Sequence, residues 1–236
     1  MPKTYIIIPT YNEAENIASL LKEIMALNTP DLTAVVVDDN SPDKTGEIAD
    51  KLAAADPRIK VIHRYLNRGR GLAGIAGFQA ALRSKADYII EMDADLSHQP
   101  KYIPDLIKAL DNFDVVLGSR FVKGGADVNR GLMRRITTFL ARIYIKLILG
   151  VKVNDVTSGY RCFKREVLEA INLEELVSTG PSIVSEILYQ VHLKGFKIGE
   201  VPIVFVDRTK GETKLNLKVL LSNLYLIAKF RLMFKM

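Results

Sequence analysis

Short apolar segments alternate with helical patterns along the first half of the chain. The apolar segments read as buried strands and lie at 5–8, 35–37, 60–62, 88–92 and 115–117. Helical patterns fill the gaps between them, at 13–25, 43–54, 72–82 and 102–110. Elements that alternate at this spacing predict an α/β fold in which helices cover both faces of a mostly parallel sheet. Asn12 and Ser41 stand where N-terminal helix caps are expected.

The pattern changes after Arg120. A glycine-rich, charged loop at 121–131 precedes a helical pattern at 132–149. The apolar stripe of that helix comprises Ile136, Phe139, Leu140, Ile143, Leu147 and Ile148. A strand is predicted at 198–206 and a basic amphipathic helix at 215–236. The longest uncharged stretch in that last helix, 219–228, has half the length that a membrane span needs.

The basic charge is concentrated in two segments. Residues 120–150 and 208–236 each carry a net charge of +6, whereas the whole chain also carries +6, so the remainder is acidic. A solvated basic face would account for such runs. No nucleic-acid-binding motif accompanies them, and we expect no nucleic-acid partner. The single cysteine, Cys162, excludes an internal disulfide and fits a reducing compartment, and we expect no signal sequence before the first strand.

Carboxylates follow three of the predicted strands, at Glu13, Asp39 and Asp93. The carboxyl ends of parallel strands meet at one edge of a sheet, where open α/β sheets bind their ligands. Asp93 and Asp95 stand two residues apart after an apolar strand, and side chains at i and i+2 of a strand point the same way. A hard divalent cation binds through one or two carboxylates together with phosphate oxygens and water. The sequence therefore predicts a metal site at Asp93 and Asp95.

The segment GRGLAG at 69–74 matches the dinucleotide-binding fingerprint. That fingerprint belongs in the first strand–helix turn, which here reads PTYNE. A pair of aspartates, rather than the single ribose-binding acid, follows about twenty residues later. We therefore expect no nicotinamide or flavin cofactor, and assign the glycines to close helix packing and a loop beside the ligand.

Five motifs span nearly the whole chain: PTYNEAENI, VVVDDNSPDKTGEIA, MDADLSHQPKYIP, LGSRFVKGG and VDRTKGETKL. In order and spacing they resemble family 2 glycosyltransferases of the dolichol-phosphate mannose synthase group. The resemblance implies a GT-A fold, a GDP-mannose donor, Mg²⁺ or Mn²⁺, and inverting transfer of mannose to dolichyl (polyprenyl) phosphate. It implies a dolichyl-phosphate β-D-mannosyltransferase active in protein glycosylation. The GT-A catalytic domain would span 1–214, with a nucleotide-binding half at 1–118 and an acceptor half at 119–214.

The resemblance also implies a role for each matching residue. The nucleotide-sugar contacts that it implies are Pro9, Tyr11, Glu13, Val37, Asp39, Asp93, Ala94, Asp95, Arg120, Arg208 and Lys214. Of these, Asp93 and Asp95 would hold the metal. Arg134 would contact the phosphate of the acceptor, with Arg135 as the alternative. Some family members place a metal-contacting glutamine where this chain has Ser97, so we do not expect a third side-chain ligand.

The implied reaction needs no strong general base. A lipid phosphate monoester has a second pKa near ~6, so it already presents an anionic oxygen at neutral pH. We expect Asp95 to act through the metal, Arg120 to position the phosphate, and Asp155 to orient the acceptor rather than deprotonate it. Arg208 and Lys214 would stabilise the charge that develops on the leaving pyrophosphate. The three histidines (His63, His98 and His192) are expected to be structural.

A lipid acceptor requires the protein to dock on a bilayer. The basic helices at 132–149 and 215–236 are candidates for binding anionic headgroups. Core packing of the stripe at 132–149 is an equal alternative. We expect a peripheral protein at the cytoplasmic face of a membrane. Direct attachment to the membrane surface and attachment through a small transmembrane partner subunit both stay open.

Two other functions remain open at this point. One is transfer of glucose or N-acetylhexosamine from a UDP-sugar to a polyprenyl phosphate, because base selectivity cannot be read from these motifs. The other is a catalytically inactive nucleotide-binding membrane subunit, against which the intact acidic and basic motifs argue. A processive polysaccharide synthase is disfavoured, because its QxxRW motif needs a tryptophan and this chain has none.

Overall fold

The computed structural model describes residues 2–206 and 217–234. The strands are β1 Thr4–Thr10, β2 Leu32–Asp38, β3 Ile59–His63, β4 Tyr88–Glu91, β5 Val115–Ser119, β6 Ala126–Val128, β7 Arg161–Lys164, β8 Ile198–Pro202 and β9 Val204–Val206. The helices are α1 Ile17–Met25, α2 Thr45–Ala55, α3 Arg70–Arg83, α4 Ile103–Ala109, α5 Leu132–Leu149, α6 Arg165–Ala170, α7 Ile183–Leu193 and α8 Leu217–Met233. A short 3-10 turn, Pro100–Tyr102, leads into α4.

In the described part of the chain, the main sheet has the strand order β3-β2-β1-β4-β7-β5-β8. All neighbouring pairs are parallel except those of β7, which runs antiparallel to both β4 and β5. The strands β6 and β9 form a separate parallel pair. Thr10 lies opposite Asp38, and Ile7 lies opposite Glu91, so β1, β2 and β4 end at the same edge. The predicted α/β fold with a mostly parallel sheet is confirmed.

Two apolar layers cover the sheet, one on each face. Alternate residues of β1 point to opposite layers. Ile7 packs in the layer that contains Phe78 of α3, and Ile6 packs in the layer that contains Leu20 of α1. The strand β2 is buried along its whole length, which explains its continuous run of valines. The sheet is therefore packed between helices on both faces. Its carboxyl edge positions the polar groups that follow the strands.

The local predictions fail at the two helix caps. The helix α1 begins at Ile17 and α2 begins at Thr45, each later than predicted. Asn12 has a φ of 61° and lies in a turn. Ser41 donates a hydrogen bond of 2.5 Å from its Oγ to Asp38 and accepts one of 3.1 Å from the N–H of Asn12. The predicted caps are wrong because Ser41 joins the ends of β1 and β2 instead of starting a helix.

The predicted helix at 132–149 is α5, with the same bounds. Five residues of its predicted apolar stripe face solvent: Ile136, Phe139, Leu140, Ile143 and Leu147 are all exposed. The sixth, Ile148, is half-buried against the core. The buried residues are Ile145 and Leu149, on the side that contacts α8, where the Tyr144 hydroxyl donates to the carbonyl of Leu224 at 2.9 Å. The alternative prediction, that the stripe packs in the core, is therefore wrong for these five residues. Among the described residues, no helix is both long and apolar enough to cross a bilayer.

Candidate active site

Two cavities adjoin at the carboxyl edge of the sheet. The larger, which we call the strand-end cavity, has a volume of about 590 Å³ and is lined by the segments that follow β1, β2 and β4 and by the start of α3. The smaller, which we call the interhelix cavity, has a volume of about 320 Å³ and is lined largely by α5, α8 and the start of α7. Arg70, Asp93 and Pro181 line both cavities.

The strand-end cavity brings together most of the residues to which the motifs assign a nucleotide-sugar contact. Those that line it are Pro9, Tyr11, Glu13, Asp39, Asp93, Ala94 and Asp95. Val37 does not, because its side chain is buried in the core beside α3. Arg120 lines the interhelix cavity instead. Arg208 and Lys214 lie outside the described residues.

Asp39 ties the loop before α3 to the end of β2. Its buried carboxylate accepts hydrogen bonds from the Arg64 guanidinium and, at 2.6 Å, from the N–H of Gly69. A second Arg64 nitrogen donates to the carbonyl of Asn67 at 2.7 Å. A carboxylate has about four acceptor positions, so a nucleotide would share this group rather than find it uncommitted. Arg64 lies two residues after the predicted strand at 60–62, which is the signal that could have identified it.

Asp95 is fixed by a tight turn. The Oγ of Ser97 donates to Asp95 Oδ1 at 2.5 Å, and the N–H of Ser97 donates to the same oxygen at 3.2 Å. Leu96, between them, has a φ of 63°, which costs a non-glycine residue about 1–2 kcal/mol. Strain of this kind persists only where the surroundings fix the backbone. The turn therefore holds one oxygen of Asp95 in a defined direction. The hydroxyl of Ser97 donates its hydrogen bond to that oxygen.

Asp93 lies between a cation and a neutral imidazole. Its Oδ1 accepts a hydrogen bond of 2.9 Å from Arg70 Nη2. Its backbone N–H donates to His98 Nδ1 at 3.0 Å, so that nitrogen is unprotonated. Burial lowers the pKa of the His98 imidazole, and the ring stacks on Tyr160 at a centroid distance of 5.0 Å. His98 thus lies within the site, as a support for the backbone at Asp93.

Arg70 connects this site to the protein core. Its Nη1 donates to Glu91 Oε1 at 3.1 Å, and Glu91 lies opposite Arg161 across β4 and β7. Burial raises the pKa of the Glu91 carboxyl, whereas the charges of Arg70 and Arg161 oppose that shift. Sequence reasoning missed Arg70, because it lies inside the GRGLAG segment. The available signal was Glu91, since a carboxylate within an apolar strand requires a cationic partner.

A loop at 177–182 closes over the start of α3. The buried carboxylate of Glu186 accepts hydrogen bonds from the N–H groups of Val177 and Ser178 at 2.8 and 2.9 Å. A Cβ at Gly69 would lie 2.5 Å from the carbonyl oxygen of Thr179, and one at Gly71 would lie 2.6 Å from that of Ser178. The glycines of this segment therefore permit close backbone packing. The loop carries Pro181, which forms part of the wall shared by the two cavities.

Arg120 and Asp155 form a buried ion pair. Arg120 donates from Nε and Nη2 to the two oxygens of Asp155, both at 2.8 Å, and its Nη2 also contacts the Thr157 hydroxyl at 2.6 Å. Burial raises the pKa of the Asp155 carboxyl, but the hydrogen bonds and charge of Arg120 outweigh it and lower the pKa. Arg120 and Thr157 line the interhelix cavity, whereas Asp155 does not. Asp155 therefore stands behind Arg120 and directs that guanidinium towards the cavity.

The arginines predicted to meet the acceptor are not in the cavity wall. Arg134 and Arg135 are exposed on α5, and Arg135 Nη2 donates to the carbonyl of Asp127 at 2.6 Å. Neither of them lines the interhelix cavity. Arg130, which sequence reasoning did not single out, does line it. Its position in the basic loop before α5 gave no signal that separated it from its neighbours.

The carboxylates of Asp93 and Asp95 fit a hard divalent cation in the chemistry of their donor atoms. Both line the strand-end cavity, and the turn at Ser97 fixes an oxygen of Asp95. Over the described ranges 2–206 and 217–234, no group of three or more His, Cys, Asp or Glu side chains could hold a metal ion. Such an ion would take its remaining ligands from phosphate oxygens and water, as Mg²⁺ commonly does.

Three curated relatives are similar to this chain over most of its length. It is 41% identical to an undecaprenyl-phosphate mannosyltransferase of Micrococcus luteus, over 89% of this chain and 86% of that protein. It is 41% identical to a polyprenol monophosphomannose synthase of Mycolicibacterium smegmatis, over 91% and 81% of the two. It is 40% identical to a dolichol-phosphate mannosyltransferase of Pyrococcus furiosus, over 98% of this chain but only 64% of that protein.

Solved structures share the fold at lower sequence identity. Glucosyl-3-phosphoglycerate synthase from Mycobacterium tuberculosis, in complex with Mn²⁺, UDP and glucosyl-3-phosphoglycerate, matches with a TM-score of 0.69 and 20% identity, over 98% of this chain and 79% of that one. The predicted GT-A fold is confirmed. The family model described as glycosyl transferase family 2 matches residues 5–171. With this match and the relatives at about 40% identity, the chain belongs to glycosyl transferase family 2, as its five motifs predicted.

Proposed function

We propose that the chain transfers mannose from GDP-mannose to a dolichyl or other polyprenyl phosphate, with inversion and with a divalent metal. The observation that carries this proposal is the common wall of the two cavities. The strand-end cavity holds seven of the eleven predicted nucleotide-sugar contacts, including both aspartates. It shares Arg70, Asp93 and Pro181 with a cavity that also contains Arg120. A donor and an anionic acceptor in adjoining cavities would meet beside Asp93.

The names of the relatives support the sugar and the acceptor. All three are named for mannose transfer to a polyprenyl-type phosphate, and they match between 89% and 98% of this chain. The choice of GDP as the nucleotide rests on the resemblance of the motifs alone. The metal rests on the carboxylates of Asp93 and Asp95. A bound divalent cation would supply positive charge to the pyrophosphate as it leaves the sugar.

The residues of the chain would have distinct tasks. Asp93 and Asp95 would hold the cation, with Arg70, His98 and Ser97 fixing their positions. Arg120, held by Asp155, would bind the phosphate of the acceptor and orient its oxygen towards the sugar. That oxygen is already anionic near neutral pH, so no side chain needs to remove a proton. Holding the two reactants in one geometry supplies much of the rate enhancement in such a reaction.

A donor screen tests the proposal. The protein would be incubated with GDP- and UDP-sugars, a short polyprenyl phosphate and Mn²⁺, with turnover and thermal stability both measured. We expect GDP-mannose to give the largest turnover and the largest rise in melting temperature, and EDTA to abolish both effects until Mn²⁺ is restored. A preference for a UDP-sugar would refute the donor. Nucleotide binding without hydrolysis or transfer of any sugar would support the inactive subunit.

We also propose that the protein binds peripherally to the cytoplasmic face of a membrane through α5, directly rather than through a transmembrane partner subunit. The exposed face of α5 carries five large apolar side chains in helical spacing, at Ile136, Phe139, Leu140, Ile143 and Leu147. A contiguous apolar surface on a soluble domain marks an interaction site. Exposed Arg134 and Arg135 lie on the same helix and would meet anionic headgroups.

Cosedimentation with anionic vesicles tests this attachment. A variant with Phe139→Ser, Leu140→Ser and Leu147→Ser should lose most vesicle binding and keep its melting temperature, because these side chains are exposed. Leu193→Ser, on the exposed end of α7, is the matched control and should bind normally. Binding that survives the triple substitution, the neutralisation of Arg134 and Arg135, and the deletion of residues 215–236 would refute a membrane role for these helices.

A further inference from the structure

Arg130 is a guanidinium of the interhelix cavity to which the motifs assign no role. It follows β6 and precedes α5, and it lines the cavity together with Arg120. Both guanidinium groups lie against the ring of Phe205, at 5.7 Å for Arg130 and 5.1 Å for Arg120. Phe205 itself lines the cavity. The aromatic ring therefore lies beside two cations that line the same cavity, where an anion could contact both.

Arg120 and Arg130 differ in the number of hydrogen bonds that their guanidinium groups donate to other side chains. Arg120 makes three side-chain hydrogen bonds, two to Asp155 and one to Thr157. Arg130 makes one with residues that the structure describes, of 3.2 Å from Nη1 to Asp127 Oδ2. Within the described residues, Arg130 Nε and Asp127 Oδ1 are buried without a hydrogen-bond partner. Since a guanidinium carries five N–H donors, Arg130 retains donors that no acceptor in the described part of the chain satisfies.

The residues that line the cavity include three guanidinium groups and one carboxylate. Of the residues that line it, Asp93 is the carboxylate, and Arg70 already pairs with it. Thr137 and Thr138 at the start of α5, and Ser182 and Ser185 at the start of α7, add hydroxyl groups to the wall. The rest of the lining includes Ala141, Ile145 and Ile227. A phosphate joined to an apolar chain matches this combination, because guanidinium and hydroxyl groups bind the phosphate while the apolar walls accept the chain.

We propose that Arg130 binds the phosphate monoester of the acceptor in the interhelix cavity, as a second cation beside Arg120. This inference rests on the proposed function for the identity of the acceptor. Arg130 does not line the strand-end cavity, so it acts on the acceptor and not on the nucleotide. It is a phosphate-binding residue with no part in breaking the bond to the donor.

Steady-state kinetics with the full chain test the assignment. Arg130→Gln should raise the KM for a short polyprenyl phosphate by about 10–100-fold, because one charge-assisted hydrogen-bonded contact is lost. It should leave the KM for the donor within about twofold of wild type, within the spread of a surface substitution. Arg130→Lys keeps the positive charge but lacks the planar array of N–H donors of a guanidinium. It should give an intermediate KM for the acceptor. Arg83→Gln, the same change on an exposed arginine at the far end of α3, is the control and should leave both KM values unchanged.

Direct binding separates this inference from the proposed function. Titration calorimetry would compare wild type and Arg130→Gln in their binding of a water-soluble isoprenyl phosphate, and separately of inorganic phosphate, in the presence of nucleotide and Mn²⁺. We expect the variant to bind both more weakly by the same factor as in the kinetics. If no sugar is transferred but the variant still loses phosphate affinity, the proposed function fails and this inference stands. Equal affinity in the two proteins overturns the inference even if transfer is observed.

Asp127→Asn distinguishes phosphate binding from a structural ion pair. If Arg130 serves mainly to pair with Asp127, both substitutions should lower the melting temperature alike and leave the KM for the acceptor unchanged. If Arg130 binds phosphate, removing the charge of Asp127 leaves the guanidinium less neutralised, and the KM for the acceptor should fall while that of Arg130→Gln rises. A parallel rise in both variants would overturn the assignment.

Discussion

The strand-end cavity and the interhelix cavity differ in the elements and in the charged groups that line them. The first is lined by backbone turns that follow parallel strands, and carboxylates dominate its polar wall. The second is lined by helices and by Arg70, Arg120 and Arg130, with apolar side chains between them. The ends of the sheet strands fix the carboxylates where a metal and pyrophosphate would bind, whereas Arg120, after β5, and Arg130, before α5, would present cations to a lipid phosphate. Donor chemistry and acceptor recognition should therefore respond separately to substitution, except where the walls meet.

The largest difference between the effect on donor chemistry and the effect on acceptor binding is expected at Asp95. Asp95→Asn removes a carboxylate that would hold the cation, and loss of several kcal/mol of charge stabilisation lowers kcat by about 10³-fold or more. Binding of Mn²⁺, followed by electron paramagnetic resonance, should weaken in parallel. Binding of a short polyprenyl phosphate should be unchanged. Asp105→Asn, on an exposed aspartate of α4, is the control. Equal loss of acceptor binding would show that the two cavities are not separable.

The two cavities also differ in how far the sequence predicted them. Short valine and isoleucine runs identify buried parallel strands, and the strand ends then give the positions of Glu13, Asp39 and Asp93. Seven of the predicted nucleotide-sugar contacts line the strand-end cavity, whereas Val37 lies in the core and Arg120 lines the interhelix cavity. Val37 precedes the strand end by one residue, and its side chain points to the core. A motif match cannot tell which face of a strand a residue occupies unless the register is known.

The interhelix cavity was harder to predict because its walls come from segments with weak local signals. The strand β7 is short and antiparallel, and it was not predicted, although it brings Arg161 opposite Glu91. The stripe of α5 looked equally suited to the core and to the surface. Only the tertiary packing of α5 against α8 decides which face of the helix is exposed. Arg130 therefore could not be distinguished from other basic residues in its loop.

Asp155→Asn should reduce stability more than its place behind the cavity suggests. The buried Arg120 would lose its counter-charge, at a cost of about 3–5 kcal/mol in the free energy of unfolding. The pKa of Asp155 is lowered in the folded protein, so its contribution is complete above about pH 4 and is lost as the pH falls through the folded pKa. Thermal unfolding from pH 2 to 7 should therefore show a flatter acid limb in the variant. A limb as steep as that of wild type would contradict this assignment.

Activity provides a second measurement on the same variant. If Asp155 only directs Arg120, kcat at saturating acceptor should fall by less than about 10⁴-fold, the upper range for loss of a general base. The KM for the acceptor should rise, because Arg120 lines the interhelix cavity. The KM for the donor should change little. A loss of kcat beyond that range with unchanged KM would make Asp155 a general base and would contradict a reaction that needs none.

A substitution of Arg70 should affect both donor chemistry and acceptor recognition. Arg70→Leu leaves Glu91 buried and Asp93 without its cation, and we expect about 2–3 kcal/mol of lost stability from these charged hydrogen bonds. Adding Glu91→Gln should recover part of that loss, as a double-mutant cycle would measure. Both KM values should rise, since Arg70 lines both cavities. Arg83→Leu is the control on the same helix. Additive effects of the two substitutions would exclude a functional link between Arg70 and Glu91.

The smallest effect is expected at Ser97, and it belongs to the strand-end cavity alone. Ser97→Ala removes the 2.5 Å hydrogen bond to Asp95 Oδ1 but keeps the one from the backbone N–H. Loss of about 1 kcal/mol of positioning predicts an approximately fivefold weaker affinity for Mn²⁺, without any change in acceptor KM. Ser97→Thr restores the hydroxyl and should restore the affinity if the extra methyl group fits. An unchanged affinity in Ser97→Ala would mean that the strained turn at Leu96 fixes Asp95 without help from the side chain, and that backbone geometry alone sets the metal-binding wall.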